Sequence, residues 1–405
     1  MKIAWLLFTA ATFVEGVSRH KRDPVWTVNP GQVPDYVLRH CPGVHLYSEE
    51  KYLPGDPADY VTNFKIDTAS GKTVLNGSES DPVTLARLGQ YSFEKHSSRT
   101  FMTSLTDFNA DPDWITGEGN IPHLVSGKID HAKSVLIVVD KGDGLVDAFW
   151  FYFYPFNLGP FVMGGGPYGN HVGDWEHSLV RFQDGVPQIL WMSAHGGGNA
   201  YYYNAAEKMD NDPERRVLFS ARGTHANYGS VGQHSHDLPF YMLSDFTDRG
   251  ALWDPVQKYY GYTLTHRERG RTGADRIWFD GRVLTSDGQS PHPSWLNYLG
   301  RWGDRQLPNS DPRQKWHPFN WRYIDGPRGP MAKNLLRHTV CERNKWWNLF
   351  RTCRIRRRVE TAEGIEAEGY GCVGLMDWLP WWIGWIPWTV TWRGYGCWAI
   401  DRLWG

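Results

Sequence analysis

Residues 134–155 read SVLIVVD, KGDG, LVDAFWFYFYP: two strand-forming runs joined by a glycine turn. Apolar, β-branched and aromatic runs either side of such a turn form a β-hairpin. A second hairpin follows, with WEHSLVRF (175–182) and QILWMSAH (188–195) flanking QDGVP. RVLFSARGTHA (216–226) is a further strand running into a glycine turn. Strands this dense leave little room for helices, and DPVTLARLGQYS (81–92) is the one clear short helix. The pattern predicts a mainly β chain built as an antiparallel β-sandwich with long loops. The 43 Gly and 25 Pro fit many turns.

The ends of the chain differ from this body. MKIAWLLFTAATFVEGVS has a basic start, a short apolar run and small residues after it. That is the layout of a secretory signal peptide over residues 1–18, with a linker over 19–32. Lys21-Arg22 reads equally as a dibasic processing site or a solvated linker. The body then spans 33–329, and residues 330–405 form a Cys/Trp-rich extension. Four of the five cysteines lie there, so Cys341, Cys353, Cys372 and Cys397 are disulfide candidates. The local pairs Cys341–Cys353 and Cys372–Cys397 are the expected ones, with Cys41 left over. LMDWLPWWIGWIPWTVTWRGYGCW (375–398) is broken by prolines and too short to span a bilayer. It reads as a bridged flap, with peripheral membrane contact as the alternative. Arg357-Arg358, in the basic cluster before it, is a second candidate processing site. Asn76-Gly77-Ser78 is a glycosylation acceptor pattern in a secreted chain.

Charge excludes one class of partner. Lys plus Arg is 43 and Asp plus Glu is 44, so nothing points to nucleic acid. Chemistry concentrates instead in NHVGDWEH (170–177). On a strand starting near Asp174, residues two apart share a face, so Asp174 and Glu176 point together and His177 points away. Neighbouring carboxylates repel unless a cation sits between them. His171, on the preceding glycine-rich loop, can fold back to join them. A histidine and two carboxylates suit Ca²⁺, Mg²⁺ or Mn²⁺ better than zinc. His195 and His225 close later strands at the same end of the sheet, where loops carry function on a rigid frame. The alternative is that these groups are ordinary loop residues and hydrogen-bonded histidines.

Three motifs in order, HCPGVHLYSEEKYLPGDP (40–57), NHVGDWEHSLVRF and SARGTHANY, resemble the vacuolar protein sorting-associated protein 62 family over about residues 33–325. That resemblance implies a role in delivering proteins to the fungal vacuole. NHVGDWE behind the aromatic strand also resembles, more distantly, the heptapeptide of the necrosis- and ethylene-inducing toxin-like proteins. This implies a β-sandwich with a divalent cation held by His171, Asp174 and Glu176, with Asn157 in the place of an aspartate. Ser193-Ala194-His195 and His225-Ala226 match later motifs of those toxins, which recognise sphingolipid sugar headgroups. Gly173 departs from the pattern, replacing a histidine.

Three functions follow as expectations. The first is a secretory-pathway protein, vacuolar or extracellular, whose cation rim binds a glycan, lipid headgroup or small molecule. Arg222 and Tyr228 beside His225 are its candidate ligand contacts, and the aromatic surplus would stack on sugar faces. The second is an enzyme, a hydrolase or an isomerase or cyclase of a fungal small-molecule pathway, with His177, His195 or His225 as acid or base. The third is a structural or cargo-binding factor without chemistry. No nucleophile elbow, zinc signature or nucleotide fingerprint is present.

Overall fold

The computed structural model describes residues 27–94, 99–161, 166–235, 243–266, 276–317, 320–342 and 353–359. Among them the largest sheet has nine strands. Its order is Arg276–Phe279, Arg282–Ser286, Tyr259–Thr265, Ser134–Gly142, Leu145–Asn157, His171–Gln183, Val186–Ala194, Gly197–Tyr202 and Ile355–Arg356. The two expected hairpins are its centre, paired antiparallel from Val135↔Phe151 through Ser178↔Met192. Two neighbours run parallel: Tyr259–Thr265 beside Ser134–Gly142, and Ile355–Arg356 beside Gly197–Tyr202.

Both faces of this sheet are covered, which explains why its central strands are apolar at nearly every position. Val135, Ile137, Phe149, Phe151, Phe153, Trp175, Leu179 and Trp191 belong to one apolar cluster. It is closed by the Phe64–Thr68 and Thr100–Ser104 strands, the Leu85–Glu94 helix, and Trp295 and Trp302. Leu136, Val138, Trp150, Tyr152, Tyr154, Val180 and Leu190 face the other way. They pack on a second sheet in which Gly43–His45, Asp212–Ser220 and Leu252–Trp253 are neighbours. The mainly β, layered architecture expected from the sequence is the one found, and the expected helix runs Leu85–Glu94.

Part of the aromatic surplus fills the core. Trp150, Trp175, Trp191, Trp253, Trp295 and Trp302 have under 2% of their surface exposed. A sheet buried on both sides needs large side chains to fill two interlayer spaces, and tryptophan fills them most efficiently. His234 lies on the Gly232–Ser235 strand, stacked on Tyr228 at 3.7 Å, and Pro293–Asn297 is a 3₁₀ turn that buries Trp295.

The described part of the extension packs into the same body. Met331, Leu335 and Val340 are buried, Cys341 and Cys353 form the expected disulfide, and Ile355–Arg356 adds the edge strand. Cys41 is buried with a free thiol. The signal peptide, Cys372, Cys397 and the Trp-rich stretch lie outside the described residues. Asn76 is exposed. Among the described residues no helix is long and apolar enough to cross a membrane.

Candidate functional site

The site sits at the mouth of the His171–Gln183 strand. Cross-strand pairing sets its faces: Tyr154 opposes Asp174 and Tyr152 opposes Glu176, while Phe153 opposes Trp175 and Phe151 opposes His177. Asp174 and Glu176 therefore share a face and His177 takes the other, as the alternation requires. His171 arrives differently from the expectation. It is the first residue of the strand itself, not of a loop folding back. Gly173, at φ +70°, interrupts the alternation, so Val172 joins the apolar cluster of Trp175 and His171 turns to the carboxylate side.

His171, Asp174, Glu176, His195, Asn157 and Lys333 line a cleft of about 440 Å³, with Thr224, Tyr168 and His317 on its walls. Asp174 and Glu176 are 5% and 8% exposed, so their charges must be met within the protein. Asp174 Oδ2 accepts from His225 Nδ1 at 3.0 Å. The other ring nitrogen of His225 faces Tyr52 O at 3.1 Å, with Glu50 at 3.7 Å. A carbonyl can only accept, so both nitrogens donate and the ring is an imidazolium. Burial opposes that charge, but Glu50 and Asp174 outweigh it and push the His225 pKa up to about 9. Tyr154 stacks on the same ring at 3.8 Å and 4°.

Glu176 has no such partner. Burial, and then the Asp174 carboxylate, push its pKa up to about 8, with Lys333 opposing. Ser193 donates its hydroxyl to Glu176. His171 Nδ1 donates to Gly173 O at 2.7 Å, which leaves Nε2 as the lone-pair nitrogen of the neutral ring. Burial lowers the pKa of this histidine and keeps it neutral. Asn157 Nδ2 donates to Gly169 O, so its amide oxygen remains to accept from a ligand or to coordinate a cation. These donor types suit a hard cation. Their placement does not close around one, because among the described residues no three His, Cys, Asp or Glu side chains group to hold a metal.

His195 stands at φ +51° and bonds Asp245 through Nε2 at 2.6 Å. Asp245 also accepts from Thr224 and Tyr228. Of the candidate ligand contacts, Tyr228 is thus buried behind His195, and Arg222 is exposed over the Tyr47 ring at 5.7 Å; neither lines the cleft. The acid–base candidates separate in the same way. His195 lines the cleft, His225 is locked between carboxylates, and His177 lies on the far face against Phe151, held neutral by burial and by the Lys333 and Arg337 charges. Glu50, Asp245 and Lys333 were not expected. Glu50 carries a legible signal only in part, since it falls inside the 40–57 motif.

The sequence of vacuolar protein sorting-associated protein 62 from Saccharomyces cerevisiae is 48% identical to this chain over 401 residues, covering 93% of this chain and 83% of the relative. The chain belongs to the vacuolar protein sorting-associated protein 62 family. A second relative from the same yeast, putative vacuolar protein sorting-associated protein TDA6, is 47% identical over 91% of this chain and 82% of the relative. The vacuolar protein sorting-associated protein 62 family model itself matches residues 106–240, which contain the sequence-expected site residues from Asn157 to Tyr228. Among solved structures, one described as a toxin fold for microbial attack and plant defense is 12% identical, with a TM-score of 0.24, covering 55% of this chain and 73% of that one. Necrosis and ethylene inducing protein 2, from the causal agent of cocoa's witches' broom disease, is 11% identical at TM-score 0.24, covering 56% and 72%.

Proposed function

We propose that this chain is a secretory-pathway protein, vacuolar or extracellular, that acts in protein delivery to the vacuole by binding a polar ligand. The ligand is a glycan, a lipid headgroup or a small molecule, and the cleft at the mouth of the His171–Gln183 strand receives it. The cleft carries this reading: two buried carboxyls, a neutral histidine and an amide oxygen converge on about 440 Å³. Groups of that kind are kept desolvated where they have a ligand to bind. Membership of the vacuolar protein sorting-associated protein 62 family supports the cellular role.

A Ca²⁺, Mg²⁺ or Mn²⁺ ion belongs to the same reading. His171 Nε2, Asp174, Glu176 and the Asn157 oxygen stand open to the cleft and would have to draw together to hold it, and it would chelate ligand hydroxyls. Adding each ion to the purified chain is expected to raise its melting temperature and to increase retention of glycans on an array. Glu176→Gln keeps the shape and removes the charge, so the ion-dependent retention should drop tenfold or more, as expected for about 1.4 kcal/mol or more lost from a charged contact. Elemental analysis without bound metal, an unchanged melting temperature and no ion-dependent retention would together end the cation reading.

One observation favours an enzyme as the second reading. Glu176, with its pKa pushed up to about 8, and His195, bonded to Asp245, line the same cleft. Such a pair has the composition of a general acid and base.

A further inference from the structure

The far face of the central sheet poses a separate problem of charge. His177 is fully buried there, and among the described residues neither ring nitrogen has a hydrogen-bond partner. The indole of Trp191 lies 4.8 Å from it between ring centroids, and its Nε1 is also unpartnered. Arg337 is 5% exposed, with its guanidinium 4.7 Å from the Trp191 centroid and 5.0 Å from that of Phe149. Its Nε donates to Val340 O and its Nη1 to Lys333 O, while Nη2 has no partner among the described residues.

No carboxylate among the described residues pairs with Arg337. Asp147 is taken by Arg181 at 2.7 Å and faces Lys141 at 3.5 Å. Glu342 acts on Arg337 only as a more distant charge. Lys141 and Arg181 thus lie against the segment that itself carries Lys333 and Arg337, with Asp147 and Glu342 as the carboxylates acting on Arg337. That segment is fastened down, because Lys141 donates to Leu335 O and Arg337 O, and Arg181 donates to His338 O.

A buried guanidinium needs a counter-charge, and buried N–H groups need acceptors. Water supplies acceptors and leaves the charge unmet. A bulky ligand would have to lift the fastened segment. A small monovalent anion meets both requirements. We propose that a halide-sized anion, chloride in the cell, binds between Arg337, Trp191 and His177, and pins the 333–342 segment to the sheet. This site is on the opposite face from the cleft and takes an anion, so it stands or falls independently of the proposed function.

The test uses the full chain with EDTA present to exclude divalent cations. Melting temperature is measured in sodium chloride, sodium bromide and sodium gluconate at equal ionic strength. Chloride and bromide are expected to raise it by several degrees in a saturable way, as for a ligand of the native state. Arg337→Gln should lose that dependence. Crystals grown in bromide should give an anomalous peak within hydrogen-bond distance of Arg337 and Trp191 in the unaltered chain, a readout that survives if the variant does not fold. Equal melting temperatures in chloride and gluconate, or bromide data without a peak at that position, overturn the proposal.

Discussion

Gly173→Ala is expected to leave the chain unable to hold its native sheet. Two independent costs meet at this residue. Its φ of +70° is a left-handed conformation that costs a side-chain-bearing residue roughly 1–2 kcal/mol. A Cβ built there would lie 1.9 Å from Trp302 O and 2.8 Å from the Tyr60 hydroxyl. That oxygen cannot retreat easily, because Tyr60 donates to it at 2.9 Å and Trp302 is fully buried. Gly303 shows the same crossing from the other side, with its own Cβ position 1.8 Å from Val172 O. The two backbones therefore touch at a glycine–glycine crossing, and a methyl group must separate them. The sum should exceed about 4 kcal/mol, the range reserved for backbone and overpacking defects in a core. Urea denaturation of the variant measures it. A loss under about 1 kcal/mol would mean that the strand and the 302–303 segment do not cross as described.

The same glycine explains why the site was only partly legible in the sequence. Period-two alternation placed Asp174 and Glu176 together and His177 opposite, and it was right because strand geometry is local. His171 was expected beside them and lines the same cleft, but from the strand itself and not from a loop, because the positive φ at Gly173 turns it to the carboxylate side. His195 and His225 were legible as strand ends at one rim. Glu50, Asp245 and Lys333 were not, because each reaches the site from a distant segment and each reads as a surface residue on its own. At the level of the fold, the hairpins and the helix at Leu85–Glu94 follow from local pattern and turn chemistry. The parallel pairing of Tyr259–Thr265 with Ser134–Gly142 joins segments over a hundred residues apart, where local signals carry no information. The cover on the second face of the sheet is equally non-local.

Stability is expected to fall steadily from about pH 6 to pH 9, and His225 is the main reason. Its folded pKa of about 9 lies above the ordinary histidine value. Its contribution is complete below the unfolded pKa of about 6.5 and is lost as pH rises through about 9, an amount of roughly 3 kcal/mol. Glu176 slopes the same way. Its native carboxyl keeps a proton up to about pH 8 that the unfolded chain releases near 4.5, so deprotonation penalises the native state over that window. Glu50, whose pKa is lowered by the His225 charge against the effect of burial, adds the opposite slope only at acid pH. Denaturant titrations at pH 5.5, 7 and 8.5 read the fall directly. His225→Gln should flatten the profile above pH 8, leave only the Glu176 slope below it, and cost roughly 3–5 kcal/mol at pH 6, because Glu50 and Asp174 then face each other buried without a cation. A profile that is flat in the unaltered chain would remove the imidazolium. The titration also separates the two contributions. A divalent cation held as proposed beside Asp174 and Glu176 would take the place of the Glu176 proton, so it should erase the Glu176 part of the slope between pH 4.5 and 8 while leaving the His225 part, between about pH 6.5 and 9, intact.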